Sequence, residues 1–388
     1  MAKQLYIDFD EYIRQREPEK AERAYAWSTA IGLQAVDGLT TSEYLQQTAK
    51  RNIEGEISID EARELIRNYY ITKTVHDDDD AGKEEADKVS ANITKILSVN
   101  AMAFSTFGYT QIHRNIFDGV FKFAGKIRDY DITKKEWVLH GDTVTYMYAR
   151  DLKLALDYDI EQERQFNYGG LSSGEIVQHI SRFTANLWQI HAFGEGNTRT
   201  TAVFVILYLR SLGFNVNNDI FAQNSWYFRN ALVRFVYKNN KGVMPEPKYL
   251  ERFFRNMLLG EQWVLKNRYL ILDPPAEYAE QPRLDTPTSE QVPNKHRTST
   301  EQAGNMFSTD NENIRRLVCC IGEGQCSIKE MMESAGLKHR PNFLSLWLNP
   351  SIADGFVRML YPDSPRHPRQ KYLLTVKGLG LYNNLKEL

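Results

Sequence analysis

Three side chains with complementary chemistry, His191, Glu195 and Arg199, lie within nine residues of one another. A neutral histidine can take a proton from an attacking hydroxyl, because its pKa is close to physiological pH. A carboxylate can hold Mg²⁺ together with the phosphates of a substrate, and a guanidinium forms paired hydrogen bonds to phosphate oxygens. Each of these residues alone is more often structural, but their combination indicates phosphate-transfer chemistry.

The segments on either side of this stretch must position it. Apolar residues spaced by three and four over 173–190 predict an amphipathic helix. The Val-, Leu- and Ile-rich segment 200–212, which ends at Gly213, predicts a buried second helix. A short Gly-Asn loop therefore joins two helices and opens onto the N-terminus of the second. Unpaired backbone N–H groups and the helix dipole make that position suitable for an anion.

The loop resembles the signature of Fic-domain proteins, His-Pro-Phe-x-(Asp/Glu)-Gly-Asn-Gly-Arg-x-x-Arg. The matching residues are His191, Phe193, Glu195, Gly196, Asn197 and Arg199. The sequence departs from the signature at Ala192, Thr198 and Ala202. Most Fic proteins transfer the AMP part of ATP to a Ser, Thr or Tyr hydroxyl on a target protein. The resemblance implies a mostly α fold, a Fic-type helical bundle with a β-hairpin flap.

The resemblance also assigns roles to individual residues. It implies that His191 is the general base and that Glu195 is the ligand of Mg²⁺. It implies that the substrate ATP is held by residues of the loop and the following helix: Gly194, Glu195, Gly196, Asn197, Thr198, Arg199 and Thr200. Tyr227, on a later aromatic-rich helix, would line the base pocket, with a core aromatic as the alternative. The second arginine of the signature, which in the family contacts the terminal phosphate, is Ala202 here.

Residues 1–75 predict a separate helical unit, in which Gly38 and Gly55 end helices and Ser58 with Glu61 forms a capping box. Within it, residues 49–55 resemble the inhibitory helix of Fic proteins, (Ser/Thr)-x-x-x-Glu-(Gly/Asn). Glu54 and Gly55 match that pattern, and Lys50 occupies the Ser/Thr position. The resemblance implies that Glu54 enters the nucleotide site and prevents productive placement of the terminal phosphate. The acidic residues that follow, 77–80 and 84–85, are expected to be solvated.

Alternating β-branched and aromatic residues in 125–139 predict a short β-hairpin. In Fic proteins a hairpin flap at this place pairs with an extended segment of the target. The target-docking residues would be Ile132, Thr133, Lys134, Lys135, Glu136, Trp137 and Val138. An ordinary surface hairpin is the alternative.

The resemblance to Fic catalytic domains covers residues 95–270. The Pro- and Thr-rich segment 273–305 predicts an extended linker. Residues 306–388 then predict a helix, a helix-turn-helix and a two-stranded wing, which resembles a winged-helix domain. Positive charge concentrates on the wing at Arg366, His367, Arg369 and Lys371. That charge suits contacts to DNA phosphates, with protein docking as the alternative.

Composition sets wider bounds. The chain has 388 residues, 42% hydrophobic and 25% charged, and a net charge of −2, which is typical of a globular protein without a bias toward nucleic acid or membrane. Its Cys319, Cys320 and Cys326 are not accompanied by a His/Cys quartet, so zinc is not expected, and an odd number of thiols fits a reducing compartment. No signal pattern or membrane-length apolar run is evident. The sequence predicts a soluble, cytoplasmic protein, and a homo-oligomer is compatible with it.

These observations together predict a protein adenylyltransferase that is autoinhibited by its N-terminal helix. Two alternatives stay open. In the family an Asn follows the aromatic-rich helix, and Val236 occupies that place here. The departures at Ala192, Ala202 and Val236 also fit a DNA-binding regulator with a degenerate Fic core, or a Fic enzyme that transfers another nucleotide or a phosphate.

Overall fold

The computed structural model describes residues 18–73, 80–99, 101–216, 219–284 and 304–386. Helices account for 61% and strands for 3% of the structure, which confirms the mostly α fold class. None of the helices in these described ranges combines the length and apolar character that a membrane crossing requires.

The N-terminal part contains α1 (Pro18–Gly32), α2 (Glu43–Glu54), α3 (Ile59–Thr72) and α4 (Asp80–Ser98). The central part contains α5 (Thr106–Ile116), α6 (Leu152–Gln165), α7 (Ser173–Ile190), α8 (Asn197–Ser211), α9 (Asp219–Val236) and α10 (Lys248–Leu259). The C-terminal part contains α11 (Glu312–Ile321), α12 (Ile328–Ser334), α13 (Arg340–Phe343), a π-helical turn (Leu344–Leu348), α14 (Asn349–Ala353), β1 (Val357–Met359), β2 (Tyr372–Leu374) and α15 (Val376–Lys386).

Helix α8 is the centre of the molecule. Every residue from its start through Leu209 is buried, which explains why its sequence lacks a polar stripe. Helix α7 precedes it and begins at a capping box in which Ser172 and Glu175 satisfy each other's backbone N–H groups. The large apolar core forms around these two helices, so the loop between them has a rigid support on both sides.

The N-terminal helices pack on this core. Helix α1 contacts α4 and α9, and a Cβ atom on Gly32 would lie 2.4 Å from the Ala222 backbone, so the close approach of α1 to α9 requires glycine there. The predicted capping box of Ser58 and Glu61 is present. Gly55 ends α2 with a φ of 83°, as the sequence predicts.

The predicted β-hairpin over 125–139 is wrong. Throughout 101–216, all of which is described, the chain forms no strand, and Trp137–Leu139 is a 3₁₀ helix. Side-chain hydrogen bonds hold this segment, instead of the backbone hydrogen bonds of a β-hairpin. Arg128 donates hydrogen bonds to the carbonyl oxygens of His191, Tyr130 and Met147, and Glu136 is fully buried. Arg128 thus binds His191, which is far away in the sequence, and an alternating pattern does not reveal such a contact.

In the C-terminal part, β1 and β2 pair antiparallel with Val357 opposite Leu374. The helices and the hairpin occur in the predicted order, and the winged-helix assignment stays a prediction. This part packs on the core: Asn383 Nδ2 donates to the Leu171 carbonyl oxygen at 2.9 Å. Of the predicted linker 273–305, the residues up to 284 lie against the core, where Val264 N donates to Pro282 O at 3.0 Å, and 285–303 lie outside the described residues.

Candidate active site

The loop between α7 and α8 is closed by its own side chains. Asn197 braces it, because Phe193 N donates to Asn197 Oδ1 at 2.9 Å and Asn197 Nδ2 donates to Phe193 O at 2.7 Å. Gly196 has a φ of 76°, and a Cβ atom there would lie 2.1 Å from Phe117 Cζ. Asparagine and glycine are therefore required at these two positions for the shape of the loop.

His191 is held in an unusual backbone conformation. It ends α7 with φ 52° and ψ 57°, a left-handed conformation that costs a non-glycine residue roughly 1–3 kcal/mol. Its ring lies 4.1 Å from the Tyr146 ring, and it meets the Trp188 ring edge-on at 5.4 Å. The surrounding structure therefore fixes the orientation of the imidazole.

The imidazole of His191 is buried, with 4% of the residue exposed. Neither ring nitrogen has a hydrogen-bond partner within the part of the chain that the structure describes. Burial, followed by the nearby charges of Lys134 and Arg128, holds the pKa of His191 well below its usual 6.5. The ring is therefore neutral at physiological pH, and the nitrogen that carries no proton can accept one.

A second layer of side chains supports His191, and the sequence did not reveal it. Arg128 Nε donates to the His191 carbonyl oxygen at 2.8 Å. The Tyr146 hydroxyl donates to Glu136 Oε1 at 3.1 Å, and Arg229 binds both oxygens of Glu136 at 2.6 and 3.2 Å. The contact of Glu136 with Arg229 joins segment 125–148 to α9, which is distant in the sequence, and local sequence patterns do not reveal such a contact.

The residues assigned to target docking therefore separate into two groups. Glu136 and Val138 are fully buried, so their assignment to target docking is wrong. Thr133, Lys135 and Trp137 are exposed, and Ile132 and Lys134 are partly exposed. Without a strand at this place, β pairing with a target has no preformed edge.

Glu195 is the accessible acid of the loop. Its side chain is 54% exposed, and its Oε2 lies 3.0 Å from Lys134 Nζ. No group of three or more His, Cys, Asp or Glu in the described ranges could hold a metal ion. A single exposed carboxylate does not fit a resident metal, but it does fit Mg²⁺ that is shared with substrate phosphates.

Arg199 is bound by side chains of the N-terminal part of the chain. Its guanidinium is 2% exposed, and its contacts are Gln34 Oε1 at 3.0 Å, Glu85 Oε1 at 2.8 Å and Asp37 Oδ2 at 2.8 Å. It also lies 4.8 Å from the centre of the Phe117 ring. In this conformation the guanidinium of Arg199 is therefore occupied by these partners, and Glu85, expected to be solvated, is an ion-pair partner.

The other loop residues lie as follows. Thr198 and Thr200 are buried, with Thr198 Oγ1 accepting from Trp188 Nε1 at 3.0 Å and Thr200 Oγ1 donating to the Gly196 carbonyl oxygen at 2.9 Å. Gly194 is partly exposed. Both threonine hydroxyls are thus engaged within the loop and the helix ends that flank it.

Two predicted site residues lie elsewhere. Glu54 pairs with Lys20 at 3.0 Å and is 37% exposed, so the expected entry of Glu54 into the nucleotide site is wrong. Gly55 serves as the cap of α2. Tyr227 is 1% exposed, and its hydroxyl lies 3.1 Å from Gln281 Oε1 and 3.2 Å from the Tyr249 carbonyl oxygen. Its assignment to a base pocket is wrong, and the alternative of a core aromatic is correct.

Comparison with known proteins identifies two matching families. The Fic/DOC family matches residues 104–209. The C-terminal domain of Fic-like proteins, described as filamentation induced by cAMP protein Fic-like, matches residues 312–375.

Among curated proteins, the protein adenylyltransferase VbhT of Bartonella schoenbuchensis is 29% identical over 109 residues. Those residues are 28% of this chain and 22% of VbhT, so the match spans about a fifth of that relative. Among solved structures, a Fic family protein from Desulfovibrio desulfuricans G20 has 16% identity and a TM-score of 0.42, covering 93% of this chain and 90% of that one. The N-terminal Fic domain of a Bartonella effector protein from Bartonella sp. AR 15-3 has 16% identity and a TM-score of 0.36, covering 45% and 82%.

Proposed function

Since this chain contains a Fic/DOC family domain over residues 104–209, we propose that it is a protein adenylyltransferase. Its substrates would be Mg-ATP and a Ser, Thr or Tyr hydroxyl of a target protein. The observation that carries the proposal is the buried, neutral imidazole of His191, whose ring nitrogens are unpaired in the described structure, on the same loop as the exposed Glu195. The name of the relative VbhT, protein adenylyltransferase, supports this choice of reaction.

In the proposed reaction His191 accepts the proton of the target hydroxyl. The hydroxyl oxygen forms a bond to the α-phosphorus of ATP, and the bond from that phosphorus to pyrophosphate breaks. Mg²⁺, held by Glu195 and the phosphates, would neutralise charge on the nucleotide. The enzyme's own contribution is positioning, because the imidazole is packed against the rings of Tyr146 and Trp188.

The lowered pKa of His191 keeps the imidazole in the unprotonated form. A base must be unprotonated before it can act, and burial with the charges of Lys134 and Arg128 keeps the imidazole neutral. Because only 4% of His191 is exposed, side chains packed against the ring, such as Tyr146, must move before a target hydroxyl can reach it.

We also propose that the N-terminal helices restrain the enzyme, through a contact different from the one that the sequence predicts. The carboxylates of Asp37 and Glu85 bind Arg199, the one arginine of the signature present in this chain. While they do so, its guanidinium is not available to a phosphate. Glu54 is not part of this contact.

A nucleotide panel tests the proposed reaction. We expect transfer of label to protein from α-labelled ATP, and no transfer from γ-labelled ATP. Label from γ-labelled ATP alone would indicate phosphate transfer, and label from another α-labelled nucleotide alone would indicate a different nucleotidyl donor. No transfer from any of them to the chain itself or to protein in a cell extract would contradict the proposal.

A further inference from the structure

We propose that Lys134 is the phosphate-binding cation of this site in the conformation in which Asp37 and Glu85 hold Arg199, and that its pairing with Glu195 is the resting arrangement which a bound nucleotide replaces. The inference rests on the proposed function, because it names the residue that would hold the phosphates of the nucleotide. It follows from a comparison of the groups that each cation around the loop between α7 and α8 already binds.

Each of the three arginines around that loop already binds other protein groups. Arg199 is bound by Gln34, Glu85 and Asp37. Arg128 uses its guanidinium on three backbone carbonyl oxygens. Arg229 binds both oxygens of the buried Glu136. Moving Arg128 or Arg229 would leave backbone carbonyl oxygens or the buried Glu136 carboxylate without a partner, and moving Arg199 would leave the amide oxygen of the buried Gln34 without one, which is costly.

Lys134 differs from these arginines in both exposure and partner. Its side chain is 31% exposed, and it pairs with Glu195, an acid that is itself 54% exposed. Exposed ion pairs of this kind contribute little to stability, because water solvates both groups when they separate. Lys134 can therefore leave Glu195 at small cost, unlike the arginines.

The position of Lys134 suits a phosphate that lies over the loop. Its Nζ is 3.0 Å from Glu195 Oε2, and among the charges that lower the pKa of His191 its contribution is the largest. The ammonium group is thus in contact with the candidate metal ligand, and its charge also acts on the candidate base. A lysine ammonium is a compact point charge that binds phosphate well.

The sequence of α8 explains why another cation is needed. The second arginine of the Fic signature, assigned to the terminal phosphate, is Ala202, and this residue is fully buried. No charge can be supplied from that position. Lys134 lies on a different segment, 125–148, and places a positive charge next to Glu195.

Measured nucleotide affinity tests this role independently of catalysis. Binding of ATP and of adenosine to the full chain is compared by calorimetry for the wild type, Lys134→Met and Lys134→Arg, with thermal melts to verify folding. Lys135→Met is the matched control, because it removes the same charge from the exposed neighbouring residue. We expect Lys134→Met to weaken ATP binding roughly 10- to 100-fold, as expected for loss of a charge-assisted hydrogen bond. Adenosine affinity should not change, and Lys134→Arg should restore most of the ATP affinity.

Equal ATP affinities for Lys134→Met and the wild type would overturn the role of Lys134 and leave the proposed function standing. The same holds if Lys135→Met weakens ATP binding as much as Lys134→Met, since the effect would then be a general one of net charge. A wild-type chain that binds neither ATP nor any other nucleotide would overturn both proposals.

Discussion

Replacing Glu85 with glutamine is expected to lower the free energy of unfolding through its effect on Arg199. The bond from Arg199 Nη2 to Glu85 Oε1 is 2.8 Å long, and the guanidinium is 2% exposed. A hydrogen bond between charged groups contributes about 1.5–3 kcal/mol. Asp37 remains as a second carboxylate partner of Arg199, so the loss should stay below the 3–5 kcal/mol typical of a buried charge left without any partner.

A double-mutant cycle in urea unfolding measures this interaction. The variants are Glu85→Gln, Arg199→Met and their combination, and the expected coupling energy is about 1.5–3 kcal/mol. Glu84→Gln is the control, because Glu84 pairs with Lys88 on the surface of the same helix. Its expected cost is below about 1 kcal/mol.

A coupling energy near zero would refute the reasoning. Arg199 would then not be held by Glu85 in solution, and Asp37 and Gln34 would be its remaining partners. A large effect of Glu84→Gln would indicate instead that charge on α4 matters in general.

Three further predictions concern regulation and pH. Glu54→Gln should leave self-labelling unchanged and should alter the free energy of unfolding by less than about 1 kcal/mol, because Glu54 pairs with Lys20 at the surface. Higher labelling by this variant would restore the inhibitory role of Glu54. Asp37→Asn combined with Glu85→Gln should raise self-labelling by freeing Arg199, and unchanged labelling would remove the proposed restraint. Burial lowers the pKa of His113 from 6.5 to about 4, so the unfolded chain binds more protons between these values. The contribution of neutral His113 to the free energy of unfolding, about 3 kcal/mol, is present above pH 6.5 and is lost as the pH falls to 4. In urea unfolding across this pH range, His113→Gln should therefore lose less stability in acid than the wild type.

Local signals in the sequence predicted much of the helical framework. The bounds of α7 follow from apolar spacing, and the helix ends at Gly38 and Gly55 follow from the ease with which glycine adopts a left-handed conformation. The cluster of His191 and Glu195 on one loop was also evident, because both residues belong to a single short motif. All of this information lies within a few residues of the feature it specifies.

The partners of Arg199 could not be predicted in the same way. Gln34 is 165 residues away in the chain and Glu85 is 114 residues away, and both look like ordinary surface residues in their own segments. The alternating pattern of 125–139 predicted a hairpin, yet the chain there is held by Arg128 and Glu136. Tyr227 was ambiguous for a related reason, since an aromatic residue on a buried helix suits a core as well as a pocket.

The most direct test of the account compares self-labelling by α-labelled ATP in the wild type and in His191→Ala at equal fractions of folded protein. Both ring nitrogens of His191 lack partners in the described structure, so the substitution removes no hydrogen bond from the ring and should leave the fold intact. Loss of the general base should reduce labelling by roughly 10²- to 10⁴-fold. Wild-type labelling by a folded His191→Ala protein would contradict the assignment of His191 as the base, and with it the account of this site.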